Sequence, residues 1–283
     1  MDERHNDERQ NMELAGTGPG GGRVAGTSGG VGSGADSTSA PRMYADLSGL
    51  WGFVSPPDHY AEEVGTFVRR YRRHGVADGG RVLHLGSGGG SIDEHLKRTY
   101  AVTGVDASRS MVDYAASINP EVEYVQGDMR RVRLGRLFDG VLVHDAISYM
   151  TSVDELESAY RTAAAHLAPG GVMVTIPEQL RESFSPGQTD VKTIRSADRS
   201  VTLFETDHDE DPDDNVFETI YVFLIREGGV SRVEVDLHVN GVFTLDEFLG
   251  ALDRAGFDAV AEPWELTDWE PGEEVPLITA VKR

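Results

Sequence analysis

The sequence predicts an α/β fold, in which a parallel sheet carries helices on both faces and a small antiparallel sheet is inserted as a cap. Five short apolar runs alternate with helical patterns between residues 80 and 178, which is typical of parallel strands joined by helices. The apolar runs that follow residue 178 have no helices between them, which indicates an antiparallel sheet. The length of the chain agrees with this fold, because 283 residues are enough for one domain with an insertion and a tail.

The predicted core begins with a helix and continues as alternating strands and helices. The helix over residues 60–73 carries apolar side chains on one face. Ser108 is placed to cap a second helix, and Ser152 and Glu155 have the spacing of a capping box at the start of a third. The predicted core strands are residues 82–85, 101–105, 122–125, 138–143 and 172–176.

The pattern changes after the fifth core strand. The predicted strands of the insertion are residues 201–204, 216–225 and 233–239, and the last two are joined by a hairpin turn at residues 226–229. Thr244 and Glu247 form another capping box, which starts a helix that ends near Gly256. Strands near residues 259–261 and 277–281 then complete the chain.

These elements divide the chain into a tail and one domain over residues 41–283. The tail is polar and rich in Gly and Ser, so it buries too little apolar surface to offset its ordering entropy, and we predict that it is disordered. The predicted segments are the tail (1–40), an N-terminal lid and helix (41–79), the core (80–178), the antiparallel cap (179–243) and a final helix with two strands (244–283).

Composition excludes several classes of function. The formal net charge is −22, from 48 acidic and 26 basic residues, so the surface repels nucleic-acid phosphates and anionic lipid. The chain has no cysteine, which excludes disulfides, thiolate metal sites and a cysteine nucleophile. It shows neither a secretory signal pattern nor an apolar run long enough to span a bilayer, so we expect a cytoplasmic protein.

A glycine cluster follows the first core strand. The dinucleotide fingerprint requires glycine or alanine six positions into the motif, but counting from Gly86 places Ser91 there. The spacing that fits is Gly86, Gly88 and Gly90. Such a cluster is typical either of a plain strand–helix turn or of a loop that binds a nucleoside cofactor.

Two later strand ends favour the cofactor. Asp106 ends the second strand 20 residues after Gly86, where a carboxylate can accept hydrogen bonds from both hydroxyls of a ribose. Asp128 and Met129 follow the third strand, where the acid can accept from the exocyclic amine of adenine and the methionine can pack on its ring. The sequence therefore predicts a bound adenine nucleoside.

With these motifs in place, residues 80–178 resemble the class I S-adenosylmethionine-dependent methyltransferases. The resemblance rests on the glycine loop, on Asp106, on residues 127–129, on the strand that begins at Phe138 and on the Pro-Gly-Gly turn at residues 169–171. It implies a Rossmann-like, seven-stranded, mostly parallel sheet whose last strand is antiparallel. It also implies S-adenosylmethionine as cofactor. Within this family the chain resembles small-molecule enzymes such as amino-sugar N-methyltransferases, which also carry inserted antiparallel strands.

The resemblance implies a set of cofactor contacts. Tyr44 and Trp51 are predicted to form a lid, although simple packing of an irregular segment is the alternative. His84 stands two residues before the first glycine, where the family commonly carries an acid that helps to organise the loop and the cationic end of the cofactor. The predicted cofactor-binding residues are Tyr44, Trp51, His84, Gly86, Ser87, Gly88, Gly90, Asp106, Ala107, Met111, Asp128, Met129, Arg130 and His144.

His144 and Tyr149 are the predicted catalytic residues. His144 follows the fourth strand, at the sheet edge where ligands bind, and imidazole has a suitable pKa for removing a proton from the methyl acceptor. The alternative is that His144 only packs against the cofactor. Tyr149 and Ser148 are predicted either to line the acceptor pocket or to cap the next helix.

The acidic run over residues 205–214 lacks the spacing of a calcium loop, so we predict a solvated loop and no metal site.

The sequence therefore predicts a methyltransferase that acts on an N or O nucleophile of a small molecule, with no nucleic acid or membrane partner. A homodimer is compatible with the sequence, which does not determine the oligomeric state. An NAD-dependent oxidoreductase and a catalytically inactive cofactor-binding protein are the alternatives. The first predicts glycine or alanine where Ser91 stands, and the second is suggested by His84.

Overall fold

The computed structural model describes residues 41–267 and 275–283. The predicted tail, residues 1–40, lies outside the described residues. The described chain contains a seven-stranded sheet and a separate four-stranded sheet. In this part of the chain, no helix is long and apolar enough to cross a membrane.

The seven-stranded sheet has the order β10-β11-β5-β4-β1-β2-β3. Its strands are β1 (Arg81–Leu85), β2 (Ala101–Asp106), β3 (Glu123–Gln126), β4 (Phe138–Val143), β5 (Leu167–Thr175), β10 (Phe257–Trp264) and β11 (Val275–Lys282). The first five run parallel, whereas β11 pairs antiparallel with both β5 and β10. The predicted mostly parallel sheet with an antiparallel last strand is therefore confirmed.

Helices cover both faces of this sheet. They are α1 (Trp51–Val54), α2 (Ala61–Arg73), α3 (Asp93–Leu96), α4 (Arg109–Ile118), α5 (Val153–Ala165) and α6 (Leu245–Arg254). Two helix starts have the predicted caps, since Ser108 accepts from the Met111 amide and Thr244 forms a complete capping box with Glu247. The predicted box at Ser152 is only half formed, because the Glu155 carboxylate accepts from the Thr151 amide and hydroxyl instead.

Two apolar clusters, one on each face, hold the helices on the sheet. Phe67 of α2 belongs to one and Tyr160 of α5 to the other, and both side chains are fully buried. Gly140 in β4 leaves room for the ring of Tyr71, because a Cβ at Gly140 would lie 2.8 Å from that ring. Truncating a buried aromatic such as Phe67 to alanine typically costs about 3–5 kcal/mol.

The four-stranded sheet, which we call the cap, is antiparallel and contains one strand that the sequence did not predict. Its strands are β6 (Thr189–Arg195), β7 (Arg199–His208), β8 (Val216–Glu227) and β9 (Val230–Gly241). β6 was missed because it is a mostly exposed edge strand without an alternating apolar pattern. β7 runs on to His208, so the predicted acidic loop at residues 205–214 is wrong for its first four residues.

The N-terminal segment packs on one face of the cap. Met43, Leu47 and Leu50 form an apolar cluster with buried residues of β7 and β8, including Leu203 and Phe223. Asp236 of β9 fixes the start of this segment, because its carboxylate accepts from the backbone amides of Arg42 and Met43 at 2.8 and 2.6 Å. The start of the described chain is thus tied to a strand of the cap that lies more than 190 residues later in the sequence.

Candidate active site

The candidate site lies at the carboxyl edge of the parallel strands. β5, β4 and β1 are neighbours in the sheet, so the segments that follow them meet at this edge. β1 leads into the glycine loop, β4 into His144 and Asp145, and β5 into Glu178. Three chain segments with polar groups therefore converge beneath the cap.

The glycine loop has a backbone that only glycine adopts readily. Gly86, Gly88 and Gly90 have φ values of +75°, +52° and +79°. A Cβ at Gly86 would lie 2.2 Å from the Cβ of Ala146, and one at Gly90 would lie 2.6 Å from the Tyr124 hydroxyl. All three predicted glycines are therefore required by conformation, and Gly86 and Gly90 are required by space as well.

Asp106 anchors this loop at the end of β2. Its two carboxylate oxygens accept from the amides of Gly88 and Ser108, each at 2.8 Å. Burial raises the pKa of Asp106, and these two hydrogen bonds partly offset that rise. The predicted hydrogen bonds from Asp106 to a ribose stay a prediction.

The predicted adenine contacts lie beside the loop. Arg130 donates to the Asp128 carboxylate and also pairs with Glu155. Burial alone would raise the pKa of Asp128, but the hydrogen bonds from Arg130 outweigh it and the pKa is lowered. Met129 is buried, and its Cε lies 2.7 Å from where a Cβ on Gly86 would stand.

Three further predicted cofactor residues differ in exposure. Ser87 is buried, and its hydroxyl has no hydrogen-bond partner within the described residues. Met111 is fully buried in α4, whereas Ala107 is exposed. Ser87 and Met111 therefore lie in the interior, whereas Ala107 lies at the surface.

Tyr44 and Trp51, the predicted lid residues, lie over the glycine loop. A Cβ on Gly89 would stand 2.2 Å from Cδ1 of Trp51, so the indole packs directly on the loop backbone. The Tyr44 ring lies 5.7 Å from the Trp51 ring, measured between centroids. Lid and loop thus enclose a small cavity of about 90 Å³, the glycine pocket, whose lining also includes His84, Ser87 and His144.

Tyr149 joins the lid to the cap through a hydrogen-bonded chain. Its hydroxyl lies 2.7 Å from the Tyr44 hydroxyl and 2.7 Å from Nδ1 of His238, and Nε2 of His238 lies 2.9 Å from Asp236. The sequence analysis missed His238 and Asp236. Their spacing of two residues on the alternating strand β9 was the signal that both point to one face.

His144 lies between two carboxylates. Its Nε2 is 2.9 Å from Glu63 of α2, and its Nδ1 pairs with Asp145. Burial would lower the pKa of His144, but Asp145 and Glu63 outweigh it and the pKa is raised well above the usual value. This differs from the free base expected from the sequence, because neither ring nitrogen is available to accept a proton.

Glu178, which was also not predicted from the sequence, lies beside Asp145. Solvent reaches its side chain, yet burial by the surrounding walls and the charge of Asp145 raise its pKa well above the usual value. Its position after β5, the neighbour of β4, was the available signal. A carboxylate with a raised pKa accepts a proton more readily than an ordinary one.

Two larger adjoining cavities, which we call the cap cleft, lie between this sheet edge and the cap. Their volumes are about 390 and 520 Å³, and the first shares Tyr44, Trp51 and Tyr149 with the glycine pocket. Lys192 is the one lysine or arginine among their lining residues within the described ranges. The carboxylates that line them are Glu63, Asp145, Glu178, Asp190, Glu205 and Asp207.

Known proteins share both the sequence pattern and this fold. A family model described as a methyltransferase domain matches residues 82–171. The chain is 27% identical over 230 residues to a dTDP-3-amino-3,4,6-trideoxy-alpha-D-glucopyranose N,N-dimethyltransferase of Streptomyces venezuelae, covering 75% of this chain and 89% of the relative. It is also similar to the crystal structure of DesVI of Streptomyces venezuelae, with a TM-score of 0.73 and 26% identity over 85% of this chain and 98% of that one.

A structure with cofactor bound is similar as well. It is an amino pentose methyltransferase from Micromonospora echinaspora bound to S-adenosylmethionine, with a TM-score of 0.68 and 26% identity over 79% of this chain and 92% of that one. The chain is an S-adenosylmethionine-dependent methyltransferase. The predicted family, cofactor and enzyme class are therefore confirmed.

The residues of the methyltransferase fit this cofactor at the glycine pocket. The positive φ angles at the loop glycines expose backbone at close range, as a bound ligand requires. Three buried polar atoms of the pocket lining have no hydrogen-bond partner within the described residues: Nε1 of Trp51, Nε2 of His84 and Oγ of Ser87. Because buried polar groups are usually paired, unsatisfied atoms in one pocket indicate a ligand with its own donors and acceptors.

Proposed function

We propose that this enzyme transfers the methyl group of S-adenosylmethionine to the amine of an amino-sugar-type small molecule. The observation that carries this proposal is the charge of the cap cleft, where six carboxylates outnumber one lysine and the imidazole of His144 around the space next to the glycine pocket. Carboxylates attract a cationic amine and can take up its proton. The relatives support the same class, since those compared above are named as methyltransferases of amino sugars.

The cofactor lies, in this proposal, along the edge formed by β1, β2 and β3. Residues of the glycine loop hold the methionine arm, Asp106 the ribose, and Asp128 with Met129 the adenine. The lid residues Tyr44 and Trp51 cover it and exclude water. When bound, the cofactor supplies an electrophilic methyl group on a sulfonium sulfur, so the protein mainly has to align the acceptor and keep the site dry.

Glu178 is the proposed proton acceptor, and the predicted catalytic role of His144 changes to a positioning role. An amine is protonated in water and becomes a nucleophile only after it loses a proton. Glu178 lies at the edge of the cleft with a raised pKa, which suits it to accept that proton. His144, held between Glu63 and Asp145, fixes the two carboxylates in place.

The cap supplies the rest of the acceptor site. Tyr149 reaches the cleft and is oriented by His238, and Tyr221 and Asn240 line the opposite wall. Because Lys192 is the one lysine or arginine lining the cleft within the described residues, a nucleotide diphosphate would meet strong repulsion inside it. We therefore propose that the amine of the sugar enters the cleft and that any nucleotide diphosphate stays outside it.

An acceptor screen tests this function. Methyl uptake from labelled S-adenosylmethionine would be measured with free amino sugars, dTDP-linked amino sugars and matched sugars in which hydroxyl replaces the amine. We expect transfer to amines and none to the hydroxyl partners. Transfer to hydroxyl compounds alone would overturn the proposal, and cofactor binding without transfer to any acceptor would support the inactive alternative.

A further inference from the structure

His84 is a fully buried histidine next to the glycine loop. It lies in β1 and is 1% exposed. Its imidazole lines the glycine pocket together with Gly86 and Ser87. A histidine in this position is either part of the packed interior or a group prepared for a ligand, and its hydrogen bonds decide between the two.

One side of the ring is held firmly. Nδ1 lies 2.7 Å from Oδ1 of Asp93, a carboxylate of α3 that is itself fully buried. The other oxygen of Asp93 accepts from the Tyr124 hydroxyl at 2.9 Å. Asn119 then donates to both Tyr124 and the carbonyl of Gly90, so this network is tied to the glycine loop.

The other side of the ring faces the pocket without a partner. Within the described residues, Nε2 of His84 has no hydrogen bond, although it is buried. A carboxylate can only accept, so the hydrogen bond to Asp93 is donated by Nδ1–H, and in the neutral ring this leaves the lone pair on Nε2. Leaving a buried acceptor unpaired is unfavourable, which indicates that a donor from a ligand completes it.

We propose that Nε2 of His84 accepts a hydrogen bond from the ammonium group of the cofactor's methionine arm, and that Asp93 is the acid that fixes its tautomer. The ammonium is the N–H donor at the end of that arm, and a charge-assisted bond to a buried imidazole is a strong one. The carboxylate of Asp93 in α3 therefore does not contact the ammonium itself. It acts on the ammonium through the imidazole ring of His84. This inference rests on the cofactor alone and does not depend on the identity of the acceptor.

Calorimetric binding to four adenosine thioethers tests the contact without any methyl acceptor. The ligands are S-adenosylhomocysteine, its deamino analogue, its decarboxy analogue and 5′-methylthioadenosine, which lacks the whole arm. With the unaltered enzyme we expect about a 10- to 100-fold loss of affinity for the deamino analogue, the usual worth of a hydrogen bond to a charged group. Equal affinity for the deamino analogue and its parent would overturn the proposal.

His84→Asn assigns the effect to this residue. The variant should bind S-adenosylhomocysteine and the deamino analogue about equally and should bind 5′-methylthioadenosine as the unaltered enzyme does, which also shows that the pocket is intact. A variant that keeps the full preference for the amino group contradicts the proposal, as does a loss of preference for the carboxylate alone. If the variant does not fold, ¹⁵N NMR of the unaltered enzyme decides: the complex should hold His84 as the neutral Nδ1–H tautomer, and a protonated Nε2 would overturn the contact.

Discussion

The glycine pocket and the cap cleft meet along Tyr44, Trp51 and Tyr149, but they are built in different ways. The pocket is built around the short glycine loop that follows β1, with the lid and the segment after β4 completing its lining. The cleft joins residues as distant as Glu63 and Glu205 through tertiary packing. A local motif thus serves the cofactor, which is shared by many enzymes, whereas a long-range arrangement serves the acceptor, which is particular to this one.

The carboxylates of the two regions also differ in how their charges are compensated. At the ends of β2 and β3, the Asp106 carboxylate accepts from backbone amides and the Asp128 carboxylate from Arg130. In the cleft, carboxylates crowd one another, and burial raises the pKa of Glu205 and Asp207 as well as that of Glu178. These two acids are therefore paired with donors of the fold, whereas the carboxylates of the cleft are arranged to attract positive charge and exchange protons.

The largest expected effect is the loss of kcat in Glu178→Gln, which removes a carboxylate of the cap cleft. Removing the proton acceptor should lower kcat by about 1000-fold, within the usual contribution of general base catalysis, and leave the affinity for S-adenosylhomocysteine within about twofold. Glu210→Gln, at an exposed acidic residue outside both cavities, is the matched control. A kcat that survives in Glu178→Gln would place the proton acceptor elsewhere.

The pocket side is tested by Gly86→Ala, with a smaller effect on binding. The new Cβ would overlap the Cβ of Ala146, so we expect about a 100-fold loss of affinity for S-adenosylhomocysteine, measured by calorimetry. Gly135→Ala is the control, because Gly135 also has a positive φ, +68°, but has open space around it. That control should lose about 1 kcal/mol of stability and no affinity; equal effects of both variants would refute the steric argument.

The link between the two regions is tested by His238→Phe. The ring keeps its packing against Tyr44 and Tyr221, but Tyr149 loses its hydrogen bond to the cap. We expect the acceptor KM to rise about fivefold, the worth of roughly 1 kcal/mol, with little change in cofactor affinity. His208→Phe, at the exposed end of β7, should leave the acceptor KM unchanged. If its KM also rose about fivefold, the effect of His238→Phe would not be specific to the hydrogen bond with Tyr149.

The smallest expected effect is on stability against pH. Because the folded-state pKa of His144 is raised above its ordinary value of 6.5, its contribution to the free energy of unfolding is fully present below pH 6.5 and is lost as the pH rises through the raised pKa. The raised pKa of Glu178 acts in the same direction. Urea unfolding of the enzyme between pH 6 and 9 should therefore show falling stability, with a shallower fall in His144→Gln than in His74→Gln, an exposed control.

The sequence by itself determined the parts of the molecule that depend on local physics. Apolar runs of the right length predicted the seven core strands, helix caps were visible at Ser108 and Thr244, and the glycine loop was marked by residues that alone tolerate positive φ. The domain boundaries and the cofactor contacts stay predictions. The predicted capping box at Ser152 is only half formed because the Glu155 carboxylate accepts from Thr151 instead.

Only the tertiary structure decided the rest. The edge strand β6 has no alternation to mark it, and its place comes from pairing with β7. Asp93 became the partner of His84, and Glu178 that of Asp145, because strand order and helix packing bring separate segments together. Propensity and spacing act over a few residues, whereas the pKa of a carboxyl group depends on which distant charges the fold places beside it.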